Sequence, residues 1–175
     1  LQVLEITPRV VIALNLMDEA RRLGVGIDPA ALARELGVPV VPMAARQGEG
    51  VDALRLAIQQ VARGQVQTTP FRVRSFSPDV ESMIAEVEAA VLAAAPGKAN
   101  SRWVALRLLN ADERVEASVP DEVLTVASAV RWRMSPDFQD RITQGIFAAA
   151  EGIVERTQLT GLRRARFDFD TTLDR

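Results

Sequence analysis

The residues with the clearest chemical potential are Asn15 and Asp18, which follow a short, continuously apolar run at residues 10–14. Such a run predicts a strand buried on both faces of a parallel sheet. Ligands of open parallel sheets lie beyond the carboxyl ends of the strands, which is where both side chains stand. The carboxylate of Asp18 can accept N1–H and N2–H of guanine, whereas adenine lacks this donor pair. The spacing therefore predicts guanine recognition, with Asn15 bracing the loop and reaching N7.

A second short loop strengthens this hypothesis. Residues 38–42 form another apolar run, whose two prolines suit an edge strand, and the next loop contains Ala44, Ala45 and Arg46. Small side chains let a base approach closely, and the backbone N–H of Ala45 is placed to donate to guanine O6. The N-x-x-D pattern is weak evidence alone, because its polar residues could instead cap a helix. Two such loops, each following one of two successive parallel strands, are much more specific evidence for guanine binding than the N-x-x-D pattern alone.

The first 64 residues alternate strand and helix signals. Asp28 followed by Pro29 predicts the start of a helix, and Gly37 predicts its end. Residues 51–62 carry apolar side chains at helical spacing. The order strand, helix, strand, helix predicts parallel pairing through a right-handed crossover and an α/β fold. Residues 1–6 are expected to be the tail of a helix.

From residue 77 the pattern becomes purely helical. Residues 65–76 are polar and lack helical periodicity, which predicts a linker. Residues 159–175 are highly charged and only weakly periodic, and they are predicted to form a connector. Four helices are predicted between these segments: Ser77 opens the first, Ser101 caps the second, Pro120 or Asp121 starts the third, and Ser135 opens the longest. The first helix is predicted to carry an apolar stripe of Val80, Met83, Ile84, Val87 and Val91.

Composition excludes several classes of function. The chain has no cysteine and no histidine, which removes disulfides, thiolate chemistry and zinc sites of the usual kind. A formal net charge of −2 argues against a nucleic-acid-binding surface. No run of about eighteen apolar residues occurs, so no segment is predicted to span a bilayer. The chain begins at Leu1 without a methionine, and we expect a fragment of a longer protein.

Three other sets of residues are given structural rather than chemical roles. Trp103 and Trp132 lie in helical apolar patterns and are predicted to pack in the core or between domains. Four acidic residues could be imagined as a metal site, but a solvated helix face is the favoured interpretation: Asp79, Glu81, Glu86 and Glu88. A basic cluster suits anionic lipid headgroups and an ordinary charged linker equally well: Arg163, Arg164 and Arg166.

The segments around the two loops resemble ferrous iron transport protein B. Residues 6–20 and 37–50 are similar to the corresponding stretches of that family, in which the asparagine is generally not followed by the lysine of most small GTPases; here Leu16 follows it. Residues 101–109, with Trp103 after a basic residue, resemble the family's helical domain. Residues 171–175 resemble the juncture before its transmembrane part.

The resemblance implies a fold and a set of site residues. The fold is a partial G domain of the P-loop GTPase type, with parallel strands and its N-terminal half missing, followed by an all-α helical domain. The implied divisions are the end of the G domain at 1–64, a linker at 65–76, a helical domain like a GDP-dissociation inhibitor at 77–158, and a connector toward a transmembrane domain at 159–175. Guanine binding is assigned to Asn15, Asp18, Ala44, Ala45 and Arg46, with no catalytic residue and no metal ligand. Because Ala44 stands where many GTPases carry Ser or Thr, we expect fast nucleotide release.

Two motifs that GTPases need are missing from the sequence. Neither G-x-x-x-x-G-K-[ST] nor D-x-x-G occurs in the 175 residues. The first cradles the phosphates and helps to hold magnesium, and the second is the switch motif. We therefore expect no GTP turnover by this chain. GTP or GDP, with Mg²⁺ held through residues absent here, is expected to be the cofactor of the parent protein.

The implied function is guanine-nucleotide recognition and helical regulation in a GTP-dependent ferrous iron transporter at the cytoplasmic face of the bacterial inner membrane. Guanine nucleotide and the transporter's transmembrane domain are the expected partners, and nucleic acid is not. The unpaired edge of the first strand also predicts self-association. Two alternatives stay open: a helical scaffold module that binds no nucleotide, and part of a translation-factor-class GTPase. The slightly acidic balance argues against the RNA-binding surface that the latter usually carries.

Overall fold

The computed structural model describes residues 1–74, 76–98 and 100–159. They form two compact units that do not follow chain order. The helical unit comprises Leu1–Pro8 and Thr69–Gly152, and the α/β unit comprises Arg9–Thr68 together with residues 153–159 of the described chain. The predicted connector and its basic cluster lie outside the described residues, apart from Leu159.

The described residues contain nine α-helices and two strands. In chain order they are α1 (Gln2–Ile6), β1 (Ile12–Leu14), α2 (Met17–Leu23), α3 (Pro29–Leu36), β2 (Val40–Pro42), α4 (Val51–Ala62), α5 (Pro78–Ala94), α6 (Ser101–Leu109), α7 (Glu113–Glu116), α8 (Asp121–Arg131) and α9 (Phe138–Thr157). A short 3-10 turn at Ala45–Gln47 separates β2 from α4. None of these helices has the length and apolarity needed to cross a membrane.

β1 and β2 pair in parallel, as predicted, with Ile12 opposite Val40 and Leu14 opposite Pro42. Both strands are shorter than the apolar runs that indicated them, with three residues each. The prediction that the first strand is buried on both faces is wrong, because Ala13 is exposed and its neighbours are only half-buried. The described part of the chain supplies a two-stranded sheet, so no further strand covers the other edge of β1.

The helix boundaries of the α/β unit follow local signals closely. Asp28 caps α3, since its Oδ1 accepts the N–H groups of Ala30 at 2.9 Å and Ala31 at 3.0 Å. Gly37 ends the same helix in the left-handed region, with φ of 65°. α4 spans the predicted residues 51–62. These parts of the prediction are confirmed.

The last turn of α9 belongs to the α/β unit, although it lies more than a hundred residues away in sequence. The N–H of Asp28 donates to the carbonyl oxygen of Thr157 at 2.9 Å. Arg156 forms an ion pair with Glu35 on α3 at 2.8 Å. The α/β unit therefore includes a helical segment that no pattern in the first 64 residues predicts.

The helical unit is built around apolar stripes on α5, α6, α8 and α9. On α5 the spacing of the buried residues follows the predicted stripe, and the same periodicity recurs on its neighbours. The cluster consists of Val80, Ile84, Val87 and Val91 on α5; Val104, Ala105, Leu108 and Leu109 on α6; Val123, Ala127 and Val130 on α8; and Phe138 and Ile142 on α9, with Val115 from α7.

Two expectations about this unit need correction. Ser101 does not cap α6, because Asn100 precedes the helix and the Ser101 hydroxyl donates to Glu88 at 2.8 Å. Trp103 packs against the core as predicted, but Trp132 is 91% exposed. Val130 takes the core position on α8, and Trp132 stands beyond the last turn as the C-cap. Helical spacing alone could not show that α8 ends at Arg131, one residue before Trp132.

A buried ionic cluster joins the segment before α5 to α1 and α6. Arg102 is only 6% exposed, and its Nη2 donates to the carbonyl oxygen of Val73 at 2.8 Å and to the Glu81 carboxylate at 3.0 Å. Glu5 is also buried; it accepts the N–H of Val73 at 3.1 Å and forms an ion pair with Arg72 at 3.3 Å. The backbone of Val73 is thus satisfied on both sides by charged side chains.

We predict that Arg102→Met destabilises the helical unit by about 2–4 kcal/mol, because it leaves Glu81 and the Val73 carbonyl without their donor. The matched control is Arg133→Met, which removes a pair with Glu86 whose side chains are 55% and 46% exposed. That change should cost no more than about 1 kcal/mol. Urea unfolding followed by far-ultraviolet circular dichroism gives both values. Equal losses would show that burial of Arg102 contributes nothing.

Acid stability provides a second prediction. Hydrogen bonds from Arg141 and from Ser77 lower the pKa of Asp79 from 3.8 to about 2. Because the folded-state pKa is depressed, the stabilisation is present above about pH 4 and is lost as the pH falls toward 2. Asp79→Asn should flatten the decline in stability over that window, measured by thermal unfolding at successive pH values. Glu122→Gln in the first turn of α8 is the control, and an unchanged slope in Asp79→Asn would contradict the prediction.

Candidate functional site

The two predicted recognition loops lie against each other in the α/β unit. Oδ1 of Asn15 accepts the backbone N–H of Ala45 at 3.0 Å. Oδ2 of Asp18 accepts a hydrogen bond from Nε2 of Gln47 at 3.1 Å. Residues 30 positions apart in sequence therefore meet at the carboxyl ends of the two strands, which is the edge where α/β proteins bind ligands.

Backbone hydrogen bonds continue from the strands into the loops. The N–H of Met43 donates to Leu14 at 2.9 Å, and the N–H of Met17 donates to Met43 at 3.2 Å. Leu16 adopts a left-handed conformation with φ of 64°, which turns the chain sharply from β1 into α2. Asp18 consequently lies in the first turn of a helix instead of in an open loop as expected.

Helix capping does not explain these two polar residues. The N-cap of α2 is Leu16, and no side chain caps the helix by a hydrogen bond. The side-chain oxygens of Asn15 and Asp18 are directed to the second loop instead. The structure thus excludes the capping alternative and leaves both residues for contact between the loops.

The second loop closes on itself before α4 begins. The N–H of Ala44 donates to the carbonyl oxygen of Glu49 at 3.1 Å, and the N–H of Gln47 donates to Ala44 at 2.9 Å. Ala44 is 1% exposed, so its methyl group packs beneath the loop and does not face solvent. Ala45 and Arg46 are exposed on the 3-10 turn. Ala45 and Arg46 therefore face solvent, whereas the side chain of Ala44 is buried inside the unit.

An ion pair that the sequence did not suggest joins the loops. Nη2 of Arg21 lies 2.8 Å from both carboxylate oxygens of Glu49, and its Nε donates to the carbonyl oxygen of Met17 at 3.0 Å. Both side chains are more than half exposed, so the pair contributes little to overall stability. It does fix the second loop against α2. No pattern in the sequence links residues 28 positions apart.

The described residues contain no group of three or more acidic side chains that could hold a metal ion. The four acidic residues considered above each have a separate partner: Asp79 pairs with Arg141, Glu81 with Arg102, Glu86 with Arg133, and Glu88 accepts from Ser101. The predicted solvated helix face does not describe Glu81 fully, because its side chain is only 25% exposed and pairs with the buried Arg102.

The helical unit contains an apolar cavity of about 350 Å³. Its walls come mainly from α1, α6 and α9, with Trp103, Leu106, Ile142 and Phe76 among the apolar side chains. The charged residues that line it, Glu5 and Arg107, are both paired within the chain. Among the described residues, no other charged side chain lines this cavity.

Two family models match the chain. Residues 1–58 match the model described as ferrous iron transport protein B, and residues 76–158 match the model described as the FeoB cytosolic helical domain. No curated protein sequence matches.

Solved structures of cytosolic FeoB domains are similar in fold. The cytosolic domain of L. pneumophila FeoB is 21% identical, with a TM-score of 0.72 over 90% of this chain and 60% of its own. A mutant of S. thermophilus NFeoB bound to GDP is 23% identical, with a TM-score of 0.71 over 89% of this chain and 61% of its own. The cytosolic domain of the T. maritima FeoB iron transporter in GMPPNP form is 26% identical, with a TM-score of 0.69 over 90% and 60%.

This chain spans about three fifths of the length of those structures. Its fold is a partial G domain with parallel strands followed by a helical domain, and the predicted fold class is confirmed.

The geometry of the second loop yields a prediction about its glycines. A Cβ at Gly50 would lie 2.5 Å from the carbonyl oxygen of Pro42 and 2.7 Å from the Cβ of Met43, whereas one at Gly48 meets nothing within 4 Å. Both residues have positive φ, so each alanine substitution costs about 1 kcal/mol of backbone strain. Gly50→Ala adds a clash with backbone, worth a further ~1–3 kcal/mol.

The two alanine variants should therefore differ in melting temperature, with Gly50→Ala the lower. Backbone amide resonances of Ala45 and Gln47 should move in Gly50→Ala and stay nearly in place in Gly48→Ala. Equal melting temperatures would mean that the close approach of Gly50 to β2 does not hold the loop.

Proposed function

Because this chain belongs to the ferrous iron transport protein B family, we propose that it supplies guanine recognition and helical regulation in the cytosolic region of a GTP-dependent ferrous iron transporter. One observation carries the proposal. Asn15 and Asp18 contact the loop of Ala45 at the carboxyl ends of two parallel strands. That is the arrangement a purine edge needs, with a carboxylate and a backbone N–H on neighbouring loops.

The roles of the site residues follow from their chemistry. Asp18 accepts N1–H and N2–H of guanine, and the N–H of Ala45 exchanges its bond to Asn15 for one to O6. Asn15 braces the second loop, Ala44 supports it from below, and Arg46 lies on its outer side. Relatives solved with GDP and with GMPPNP support guanine nucleotide as the ligand class.

Phosphate chemistry belongs to residues outside this sequence. Neither of the two motifs that hold phosphates and position an attacking water occurs among the 175 residues. The chain by itself therefore binds nucleotide weakly, through the base, and does not turn over GTP. Magnesium would enter with the phosphates and is assigned no ligand here.

The helical part is proposed to relay nucleotide state toward a transmembrane domain. We propose residues 77–158 as the regulatory domain, residues 1–64 as the end of the G domain, 65–76 as a linker, and 159–175 as the connector to the membrane. Two short parts of these divisions, Leu1–Pro8 and the residues from Thr69 to 76, pack within the helical unit. This assignment puts the chain at the cytoplasmic face of the inner membrane. We also propose that the isolated chain self-associates through β1, because among the described residues β1 pairs only with β2.

Of the two alternatives, a translation-factor-class GTPase is set aside, since both matching family models describe FeoB. A helical scaffold that binds no nucleotide is the remaining rival. It differs from the proposal in one measurable property, which is selectivity for the guanine base.

That property can be measured by nuclear magnetic resonance with the labelled chain. We expect GDP to shift the amide resonances of Ala45 and Asp18 at millimolar concentration, while ADP leaves them unchanged. Asp18→Asn should weaken GDP binding by about 10-fold or more, because a bidentate charged acceptor is lost. The same variant should gain affinity for xanthosine diphosphate, whose O2 accepts from the new amide.

Asp52→Asn on α4 is the matched control, an exposed acid that should leave GDP binding unchanged. Phosphate release from GTP should stay at background in all variants. Equal responses to GDP and ADP, or none to either, would favour the scaffold alternative.

A further inference from the structure

Gln47 contacts the carboxylate to which guanine recognition is assigned. It is the last residue of the 3-10 turn that begins with Ala45, and its backbone N–H donates to Ala44 at 2.9 Å. Its side-chain Nε2 donates to Oδ2 of Asp18 at 3.1 Å. The turn that carries the O6 donor therefore also carries a group bound to the carboxylate that guanine would use.

The chemistry of this contact resembles that of the base. Guanine offers a carboxylate two N–H donors, and bidentate binding needs both oxygens of Asp18. The Gln47 amide offers N–H donors of the same kind and occupies one of those oxygens. On the other side of the site, the N–H of Ala45 is already accepted by Asn15. Both recognition groups are thus satisfied by amide side chains of the chain itself.

The contact can be exchanged without dismantling the loop. Gln47 is exposed, so packing does not hold its side chain in place. The backbone hydrogen bonds that close the loop do not involve this side chain, and the exposed ion pair of Arg21 with Glu49 adds a contact to α2. A rotamer change of one glutamine is then enough to free the Asp18 carboxylate, while the Ala45 turn stays where it is.

We propose that Gln47 is an intramolecular competitor of guanine that lowers nucleotide affinity by occupying Asp18 when the site is empty. The inference rests on the proposed function and goes beyond it, because it assigns a residue that tunes affinity. Recapture of the carboxylate by Gln47 favours release of the base. A net hydrogen bond of this kind corresponds to an affinity change of roughly 2- to 10-fold.

The first measurement concerns the contact itself and uses no ligand. In the labelled chain, Asp18→Asn should shift the side-chain amide resonances of Gln47 and leave those of Gln59 in place. Gln59 is exposed on α4 and serves as the internal reference. An unmoved Gln47 amide would show that it does not occupy Asp18 in solution, and the inference would fall.

The second measurement compares dissociation constants for GDP. Gln47→Ala should bind about 2- to 10-fold more tightly than the unaltered chain. Gln47→Asn keeps the amide but is one methylene shorter, and it should show a similar gain. Gln59→Ala is the matched control and should show none.

The outcomes separate the two proposals. Equal GDP affinities in the unaltered chain and Gln47→Ala would show that Gln47 does not compete with guanine, and would not contradict the proposed guanine recognition. Weaker binding by Gln47→Ala would mean that Gln47 helps to position Asp18, which also overturns the inference. Absence of GDP binding by every variant would remove the proposed function and this inference with it.

Discussion

Three residue pairs join β1 to β2 in parallel, and this small ladder determines where the chemistry of the chain can lie. Because both strands run the same way, the loops that follow them leave the same edge of the sheet. Backbone hydrogen bonds of Met43 to Leu14 and of Met17 to Met43 carry the pairing into those loops. With antiparallel strands, Asp18 and Gln47 would stand at opposite ends of the sheet and no shared site would exist.

Much of this arrangement could be predicted from sequence because local rules govern it. The cap formed by Asp28, the left-handed Gly37 and the stripe on α5 are each set by residues within a few positions of one another. Parallel pairing followed from the alternation of strands and helices. The meeting of Asn15 with Ala45 then followed from topology, since neighbouring parallel strands end together.

Other features could not be predicted because they depend on contacts between distant residues. The pairs of Arg21 with Glu49 and of Arg156 with Glu35 join residues 28 and 121 positions apart. The contact of Gln47 with Asp18 could not be predicted, because a glutamine two residues after Ala45 signals nothing by itself. Trp132 shows the limit of periodicity, which indicates a face of a helix but not the residue at which the helix stops.

The interleaving of the two compact units also bears on how the chain becomes folded as it is made. Leu1–Pro8 are separated in sequence from the rest of their unit, which begins at Thr69, by the whole segment Arg9–Thr68. The contacts of Asp28 with Thr157 and of Glu35 with Arg156 form later still, because they need the last turn of α9. Neither unit can be completed while synthesis continues through the helical region, so both are expected to reach their final form nearly together, late and with many long-range contacts to close.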